Sequence, residues 1–370
     1  MSNRILVATR KGLFMVERQA GDVAGWKVTG CDFVADHVSM VLADPRDKRV
    51  YAGLDHGHFG VKMHRRDDGG AWEEIATPAY PEKPEGLEDN DMWGRPIPWS
   101  TSKIWALETG GPDEDGLIWC GTLPGGLFRS TDNGASWEIV RSLWDFSRVK
   151  KWMGGGADLP GIHSICVDPR NSKRVKVGVS CGGVVTTDDG GTTWDSQISG
   201  MRAAYMPPEQ AFDPDVQDPH RLVQCRADPD RFWVQHHNGI FRSDNGGTAW
   251  EEITEAGPST FGFAVVVHPS EPDTAWFVPA IKDEKRIPVD GKVVVTRTRD
   301  GGRTFETLRN GLPQEHAYDL VFRHALDIDG SGDRLAFGST TGSLWISEDQ
   351  GDSWQTVSAN LPPVYCVRFG

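Results

Sequence analysis

The chain has 370 residues, a formal net charge of −14 at pH 7 and a sequence pI near 5.2. Its Lys and Arg residues are scattered, so the negative charge argues against nucleic acids and anionic membrane surfaces as partners. No apolar run of 18 residues occurs, and the sequence opens on a strand-like segment (MSNRILVATR) without the basic and apolar regions of a signal peptide. We therefore expect a soluble, cytoplasmic protein.

Three short alternating segments open the chain: RILVATR, GLFMVER and WKV, the last of which begins at Trp26. Alternation of apolar and polar residues between turn residues is typical of β-strands. We expect these segments to be the second, third and fourth strands of a unit that lacks its own first strand.

The rest of the chain repeats one eight-residue pattern: Ser or Thr, then Asp (Asn in one copy) two residues on, Gly two further and an aromatic three after that. The copies, of which the first is a variant that begins with Arg, read RRDDGGAW (65–72), STDNGASW (130–137), TDDGGTTW (187–194), SDNGGTAW (243–250), TRDGGRTF (298–305) and SEDQGDSW (347–354). In such a turn Gly supplies positive φ, the carboxylate can accept backbone N–H groups, and the aromatic side chain can pack against the neighbouring sheet. Because a catalytic site would not be copied six times, we expect these carboxylates to be structural.

Four strand-like segments recur around each copy, most clearly between residues 163 and 199. A repeat of about 50 residues is the signature of a propeller or solenoid, because one unit cannot bury its apolar face alone. The chain ends with an unpartnered strand-like segment, PPVYCVRFG (362–370), which can supply the missing first strand of the opening unit. The sequence therefore predicts an all-β fold, a single domain over residues 1–370. We expect a seven-bladed β-propeller of four-stranded antiparallel blades, closed by the C-terminal strand completing the first blade.

The octapeptides resemble the Asp-box or BNR repeat, and nearly the whole chain is similar to the bacterial BNR-repeat, glycosyl-hydrolase-like propellers. The resemblance implies the propeller fold, whereas the function varies among sialidases, xyloglucan-active hydrolases, sorting receptors and photosystem assembly factors. Sialidases hold the sialate carboxylate with three arginines and use a Tyr and Glu pair with an Asp acid. Here the RIP motif occurs only at 286–288 and the chain has five Tyr residues, so the resemblance does not imply classical sialidase activity.

Insertions lengthen the repeats at residues 77–103, 142–161, 199–219 and 281–291. They fall between the fourth strand of one unit and the first of the next, or between the second and third strands of one unit. In a four-stranded meander both connections emerge on the face opposite the octapeptides, and insertions confined to one face commonly mark the binding face. We therefore expect a small polar ligand, a sugar or a carboxylated metabolite, at the mouth of the central channel on that face.

The ligand-binding candidates are polar and aromatic residues of that face: His37, His56, His58, Trp93, Arg95, Trp99, His163, Arg202, Tyr205, His236, His237 and His316. Aromatic rings can stack on sugars and guanidinium groups can hold a carboxylate, but the same side chains can also pack the loops or pair with loop acids. Histidines from several blades could also hold a divalent metal. Because no segment has recognisable ligand spacing, we expect hydrogen-bonded rim histidines and neither a metal nor a cofactor.

An enzyme of this type would be a glycoside hydrolase or lyase with two loop carboxylates on one ligand. The candidates are acidic residues of the same loops: Asp36, Asp55, Glu88, Asp158 and Glu315. No pair is selected by the sequence, so catalysis is left open. The alternative function is a non-catalytic protein–protein interaction scaffold, for which a flat apolar rim would be expected in place of an enclosed pocket.

Overall fold

The computed structural model describes residues 1–370 except 20–24, 92–93, 147–151, 155–157 and 197, so Trp93 lies outside the described residues. The described part contains 27 β-strands, a four-residue α-helix α1 (Arg141–Trp144) and three single-turn 3₁₀ helices (Gly57–Phe59, Pro214–Val216 and Val289–Gly291). None of the helices in these ranges is long and apolar enough to cross a lipid bilayer.

The strands follow one another with few interruptions. In chain order they are β1 Arg4–Thr9, β2 Gly12–Gln19, β3 Gly25–Asp32, β4 Val38–Ala43, β5 Val50–Asp55, β6 Val61–Arg66, β7 Glu73–Ile75, β8 Lys103–Thr109, β9 Ile118–Leu123, β10 Leu127–Ser130, β11 Glu138–Ile139, β12 Ile162–Val167, β13 Val175–Val179, β14 Gly183–Thr187, β15 Pro219–Gln224, β16 Phe232–His236, β17 Gly239–Ser243, β18 Glu251–Ile253, β19 Gly262–Val267, β20 Ala275–Pro279, β21 Val295–Thr298, β22 Glu306–Leu308, β23 Leu326–Ile328, β24 Leu335–Gly338, β25 Leu344–Ser347, β26 Gln355–Ser358 and β27 Val364–Phe369.

These strands pair into seven antiparallel sheets. Within the described ranges six sheets have four strands, and the sheet of β12 to β14 has three. In that blade the hydrogen-bonded pair of Thr186 and Asp195 stands where the fourth strand would begin. The seven-bladed β-propeller predicted from the sequence is confirmed.

The last strand closes the ring. β27 pairs with β1, with Ile5 opposite Phe369 and Val7 opposite Val367, and so becomes the inner strand of the first blade. Val367 and its neighbour Cys366 are completely buried. The predicted closure is therefore confirmed, and it leaves β1 without a free edge.

Burial follows the position of a strand in its blade. The inner strand β19, with the sequence GFAVVV, is buried at every residue because it packs between neighbouring blades. Outer strands such as β7 (EEI) and β22 (ETL) contain no fully buried residue. Large aromatic side chains, including Trp119, Trp233 and Trp276, fill the spaces between adjacent sheets.

The octapeptides form the turns from the third to the fourth strand, and their side chains hydrogen-bond to the turn itself. In the copy at 130–137, Asp132 Oδ1 accepts the Ser130 hydroxyl (2.7 Å) and the Ser136 N–H (2.9 Å), and its Oδ2 accepts the Ser136 hydroxyl (2.6 Å). The Gly134 N–H donates to Ser130 Oγ at 2.7 Å. Hydrogen bonds from Ser136 lower the pKa of Asp132 although its slight burial opposes this. In four further octapeptides, the side-chain Oδ1 of the third residue likewise accepts the backbone N–H of the residue four positions later. These third residues are Asp189, Asn245, Asp300 and Asp349.

Candidate functional site

A cavity of about 470 Å³ opens at the end of the propeller axis where the inner strands begin. Its walls come from these strand starts, from the turns between second and third strands, and from the connections between blades. Its lining residues are Ser39, Lys103, Trp105, Cys181, Tyr205, Asp218, His220, His237, Phe263, Asp283, Arg286, Phe322, Arg323, His324 and Tyr365. None of them belongs to an octapeptide, so the cavity lies on the face opposite those turns.

A recurring backbone irregularity places many of these side chains. At the start of the inner strand in six blades the register with the second strand shifts by one residue, which is the geometry of a β-bulge and re-aims the extra side chain. The residues at the shift are Ser39, Trp105, His163, His220, Phe263 and Tyr365. All but His163 line the cavity, and the His163 ring lies 5.6 Å from that of Trp105.

Asp218, His220 and His237 form a compact group on one side of the cavity. Oδ2 of Asp218 lies 3.6 Å from His220 Nε2 and 3.4 Å from His237 Nδ1. Asp218 and His220 lie at the start of β15, and His237 lies in the turn between β16 and β17. The backbone N–H of His237 donates to the carbonyl oxygen of Asp218 at 2.9 Å and fixes the turn against the strand.

The surroundings keep Asp218 ionised. Its Oδ1 accepts the Cys181 N–H at 3.1 Å, and its own N–H donates to His236 Nε2 at 3.0 Å. Burial favours the protonated acid, but His220 and His237 together with the charge of Arg323 hold the pKa of Asp218 well below its usual range. Burial alone would lower the pKa of His237, but the Asp218 carboxylate raises it.

Three cationic side chains reach the same cavity. The Arg323 guanidinium lies over the rings of Trp105 (4.9 Å) and Phe263 (5.4 Å), and its Nε is buried without a hydrogen-bond partner among the described residues. Burial lowers the pKa of Arg323 to about 10, which still leaves a cation at neutral pH. Burial also lowers the pKa of Lys103, although the Asp55 carboxylate opposes this, and Arg323 adds a smaller lowering effect. The Lys103 ammonium lies 5.4 Å from the Tyr365 ring centroid.

The third cation has a counter-charge. Arg286 donates to Asp283 Oδ1 at 2.5 Å within the connection between β20 and β21. In contrast, neither Arg323 nor Lys103 forms a salt bridge with any residue that the structure describes.

Two of the side chains predicted to bind ligand line the cavity, His237 and Tyr205. The Tyr205 hydroxyl donates to the Val216 carbonyl at 2.5 Å, and its ring contacts His237 with centroids 5.0 Å apart. His163 lies one layer further back, fully buried, with Nδ1 3.0 Å from the Ser164 hydroxyl.

His37 and His236 lie near the cavity without lining it. His37 Nδ1 is 3.6 Å from Asp55 Oδ2, and its ring is 4.5 Å from that of Tyr365. Burial and the nearby Lys103 lower the pKa of His37 to about 4. His236 is buried and accepts the Asp218 N–H at Nε2 (3.0 Å), so it supports the turn that carries His237.

The remaining candidates do not line the cavity and are engaged elsewhere or exposed. Arg202 pairs with Glu252, Arg95 with Asp91 and His56 with Asp36. Trp99 donates a hydrogen bond to Asp89, and the His58 ring contacts Phe59. Four candidates are exposed: Glu88, Asp158, Glu315 and His316. His316 lies within the connection that precedes β23.

Most of the cavity's titratable residues were not selected from the sequence: Lys103, Asp218, His220, Asp283, Arg286, Arg323 and His324. Only His220 carried a signal in the sequence. It is the second residue of the inner strand β15, and His163 holds the same position in the inner strand β12 of the preceding unit. The others carry no local pattern, since the cavity is assembled from the starts of several blades.

No family model matches the chain. The chain is 23% identical over 287 residues to a probable oligoxyloglucan-reducing end-specific xyloglucanase of Neosartorya fischeri, covering 70% of this chain and 33% of that protein. It is also 23% identical over 384 aligned positions to a xyloglucanase of Paenibacillus sp, covering 92% of this chain and 32% of that protein. The chain thus spans about a third of the length of these relatives.

Solved structures share the fold. The GH74 xyloglucanase from Xanthomonas campestris superposes with a TM-score of 0.63 at 16% identity, over 98% of this chain and 52% of that chain. The periplasmic gluconolactonase of Pseudomonas aeruginosa superposes with a TM-score of 0.58 at 11% identity, over 99% of this chain and 98% of that chain. At these identities the likeness establishes a common propeller architecture.

Proposed function

We propose that this protein binds a small anionic, polyhydroxylated ligand, a sugar acid, in the cavity at the channel mouth. The observation that carries the proposal is the pair of cations, Arg323 and Lys103, that reach the cavity with no salt-bridge partner among the described residues. Removing a charge from water is costly unless another charge compensates it. The carboxylates of Asp218 and Asp55 compensate these cations in part. An anionic ligand would add to that compensation, and perturbed charges in a cleft are typical of functional sites.

The rest of the wall suits a sugar acid. The rings of Trp105, Phe263 and Tyr365 offer flat surfaces of the kind that pack against the faces of sugar rings. His237 and His220 can exchange hydrogen bonds with hydroxyl groups. The volume of about 470 Å³ lies within the range of small-molecule sites. These features support a ligand of one or a few rings.

Binding is better supported than hydrolysis by a pair of carboxylates. The cavity has two carboxylates, Asp218 and Asp283, among its described lining residues. Asp218 is held ionised by its neighbours and Asp283 is engaged by Arg286, so neither is placed as the protonated acid that glycoside cleavage needs. The relatives are xyloglucanases, but any catalytic activity of this chain remains a prediction, as does its cytoplasmic location.

The concave shape and the charged lining of the cavity also favour a ligand over a protein partner. An interaction scaffold would be expected to present a flat apolar rim, whereas this cavity is lined by cations, histidines and acids. We therefore place the interaction scaffold second.

The proposal is tested by isothermal titration calorimetry with matched pairs of ligands: glucuronate against glucose, galacturonate against galactose, and gluconate against sorbitol. EDTA is present throughout, so that the result does not depend on metal ions. We expect saturable binding of at least one acid and at least about tenfold weaker binding of its neutral partner, since a hydrogen bond to a charged group contributes about 1.5–3 kcal/mol. Equal binding of acid and neutral sugar, or no binding of any acid, would refute the proposal.

The substitution Lys103→Met provides the second arm. Met keeps the apolar stem of the lysine and removes its charge, so the preference for the acid should fall. Lys27, which is exposed on the outer strand β3, is the matched control. Lys27→Met should leave binding unchanged, and an equal effect of both substitutions would mean that only the overall charge of the protein matters.

A further inference from the structure

We propose that Asp218, His220 and His237 form a binding site for a divalent transition-metal ion of the Zn²⁺ class, whose remaining coordination positions open into the cavity. The three candidate ligand atoms all lie within 4.8 Å of one another. This site goes beyond the sugar-acid proposal and does not depend on it, because the metal alone is the probe.

The distances fit ligands of one ion better than direct hydrogen bonds. The Asp218 Oδ2 atom is 3.6 Å from His220 Nε2 and 3.4 Å from His237 Nδ1, beyond the usual 2.7–3.2 Å of an N–H···O bond. In a tetrahedral zinc site with bonds of about 2.0–2.2 Å, neighbouring ligand atoms lie about 3.3–3.5 Å apart. The two carboxylate–histidine distances are therefore close to those around a metal ion, and all three ligand atoms lie within 4.8 Å of one another.

The hydrogen bond on the far side of His220 fixes which nitrogen can coordinate. His220 Nδ1 lies 2.6 Å from the Gly262 carbonyl oxygen, which can only accept, so Nδ1 carries the proton. In the neutral ring, Nε2 then directs a lone pair at the Asp218 carboxylate. This lone pair and the carboxylate oxygen can both coordinate a cation that lies between them.

The supporting contacts are those that orient metal ligands in proteins. A ligating histidine typically donates its other ring N–H to a backbone carbonyl, as His220 does to Gly262. Stacking on Phe263, with ring centroids 4.4 Å apart, holds the His220 ring in this orientation. Oδ1 of Asp218 accepts the Cys181 N–H, which leaves Oδ2 directed at the two histidines.

Two histidines and one carboxylate are a common ligand set for zinc and related divalent ions. From the sequence we expected no metal, because the ligands come from separate segments, the start of β15 and the turn after β16, and no single segment shows ligand spacing. Asp218 supplies only one negative charge and Arg323 lies within electrostatic range of it, so a divalent ion leaves the cavity strongly cationic. Metal and an anionic ligand should therefore strengthen each other's binding.

The experiment uses the full-length protein, stripped with EDTA, dialysed and titrated with Zn²⁺ by calorimetry and with Co²⁺ by visible absorption. We expect equimolar saturable binding and the intense d–d bands of a Co²⁺ site of low coordination number. His237→Ala and His220→Gln should each weaken binding by more than about 100-fold, because loss of even a partner behind the ligands costs about 10- to 100-fold.

His58→Ala is the matched control, because His58 is an exposed histidine that does not line the cavity. It should bind metal like the wild type, and circular dichroism of every variant verifies that the propeller is folded. Should His220→Gln fail to fold, the half-buried His237 still decides the outcome. Absence of saturable binding to the wild type, or unchanged binding by His237→Ala, overturns the site, whereas a loss confined to His58→Ala assigns the metal to the surface.

The two proposals fail separately. Loss of acid binding in EDTA with intact Zn²⁺ binding rejects the sugar-acid ligand alone. The converse result rejects the metal site alone.

Discussion

The guanidinium of Arg323 lies over the face of Trp105, with its central carbon 4.9 Å from the ring centroid. Such a contact stabilises a cation by about 0.5–2 kcal/mol, less than the cost of removing the charge from bulk water without a counter-ion. The nearby Asp218 carboxylate offsets part of this cost, and we expect a bound anion to stabilise the Arg323 cation further. Residues retained for function at the expense of stability behave in this way.

Replacing Arg323 by Met should separate stability from binding. We expect the melting temperature of Arg323→Met to be unchanged or higher, because a charge without a salt-bridge partner is replaced by an apolar side chain. Affinity for the sugar acid should fall about 10- to 100-fold. Differential scanning calorimetry and titration calorimetry measure the two effects.

Arg297 is the matched control for this substitution. It is also buried, but it pairs with Glu306 and Asp352 at 2.8 Å each. Arg297→Met should destabilise the protein by about 1–3 kcal/mol, because these hydrogen-bonded pairs are lost, and should leave ligand binding unchanged. If Arg323→Met destabilised the protein as much as Arg297→Met and still bound the acid, Arg323 would be a structural cation.

His324 should make stability depend on pH. Its Nδ1 accepts from Arg221 at 3.0 Å and from Arg368 at 3.2 Å, and Arg323 and His163 also face it. Burial, followed by the positive charges of Arg221 and Arg368, holds the pKa of His324 well below its usual value. Below about pH 6.5 the histidine is protonated in the unfolded chain but stays neutral in the folded chain. The free energy of unfolding therefore decreases as the pH drops below that value, by up to about 1.4 kcal/mol per pH unit.

The substitution His324→Asn tests this dependence. The Asn Oδ1 atom can accept the same guanidinium N–H groups but cannot be protonated, so urea unfolding between pH 7 and 5 should show a shallower loss of stability than in the wild type. His58→Asn, at an exposed position, should leave the slope unchanged. A slope in His324→Asn equal to that of the wild type would show that His324 is not a source of the acid sensitivity.

The fold was predictable because its signals are local and repeated. The polar groups of an octapeptide hydrogen-bond to one another, as Asp132 does with Ser130 and Ser136. The turn can therefore be predicted from the local sequence without knowledge of tertiary contacts. The closure of the first blade was predictable because the segment of β1 lacks an inner neighbour in the sequence and the segment of β27 lacks a following strand.

The cavity was predictable only in its position. The face followed from strand connectivity, and His237 and Tyr205 from the composition of its loops. Arg323 and Asp218 could not be identified from the sequence, because they belong to the cavity only through contacts between segments that are far apart in the chain. The bulges that direct Trp105 and four residues of other blades to the cavity are departures from strict alternation, so a two-residue pattern does not reveal them.

The octapeptide carboxylates should matter for stability and not for binding. Asp132→Ala removes the acceptor of two hydroxyls and one backbone N–H, and we expect a loss of about 1–2 kcal/mol in chemical unfolding. Sugar-acid affinity should not change, because the turn lies on the opposite face. Asp67 is the matched control, since in the variant octapeptide its carboxylate meets the Arg49 side chain and lies mostly in solvent. Asp67→Ala should lower stability less than Asp132→Ala, and the reverse order would contradict a structural role for these turns.

Closure of the ring by β27 should be required for a cooperative fold. Removing residues 364–370 exposes the edge of β1 and deletes the completely buried Val364, Cys366 and Val367. Full burial of each such side chain contributes about 1.5–3 kcal/mol, so the total is comparable to the whole stability of a typical domain of 5–15 kcal/mol. We expect the truncated chain to lose its sharp thermal transition and to aggregate through the free edge.

A synthetic peptide of residues 362–370, added in trans, should restore part of the transition, because it can pair with β1, whereas a scrambled peptide should not. A truncated chain that melted like the full-length protein would mean that six complete blades hold the first one in place without its inner strand.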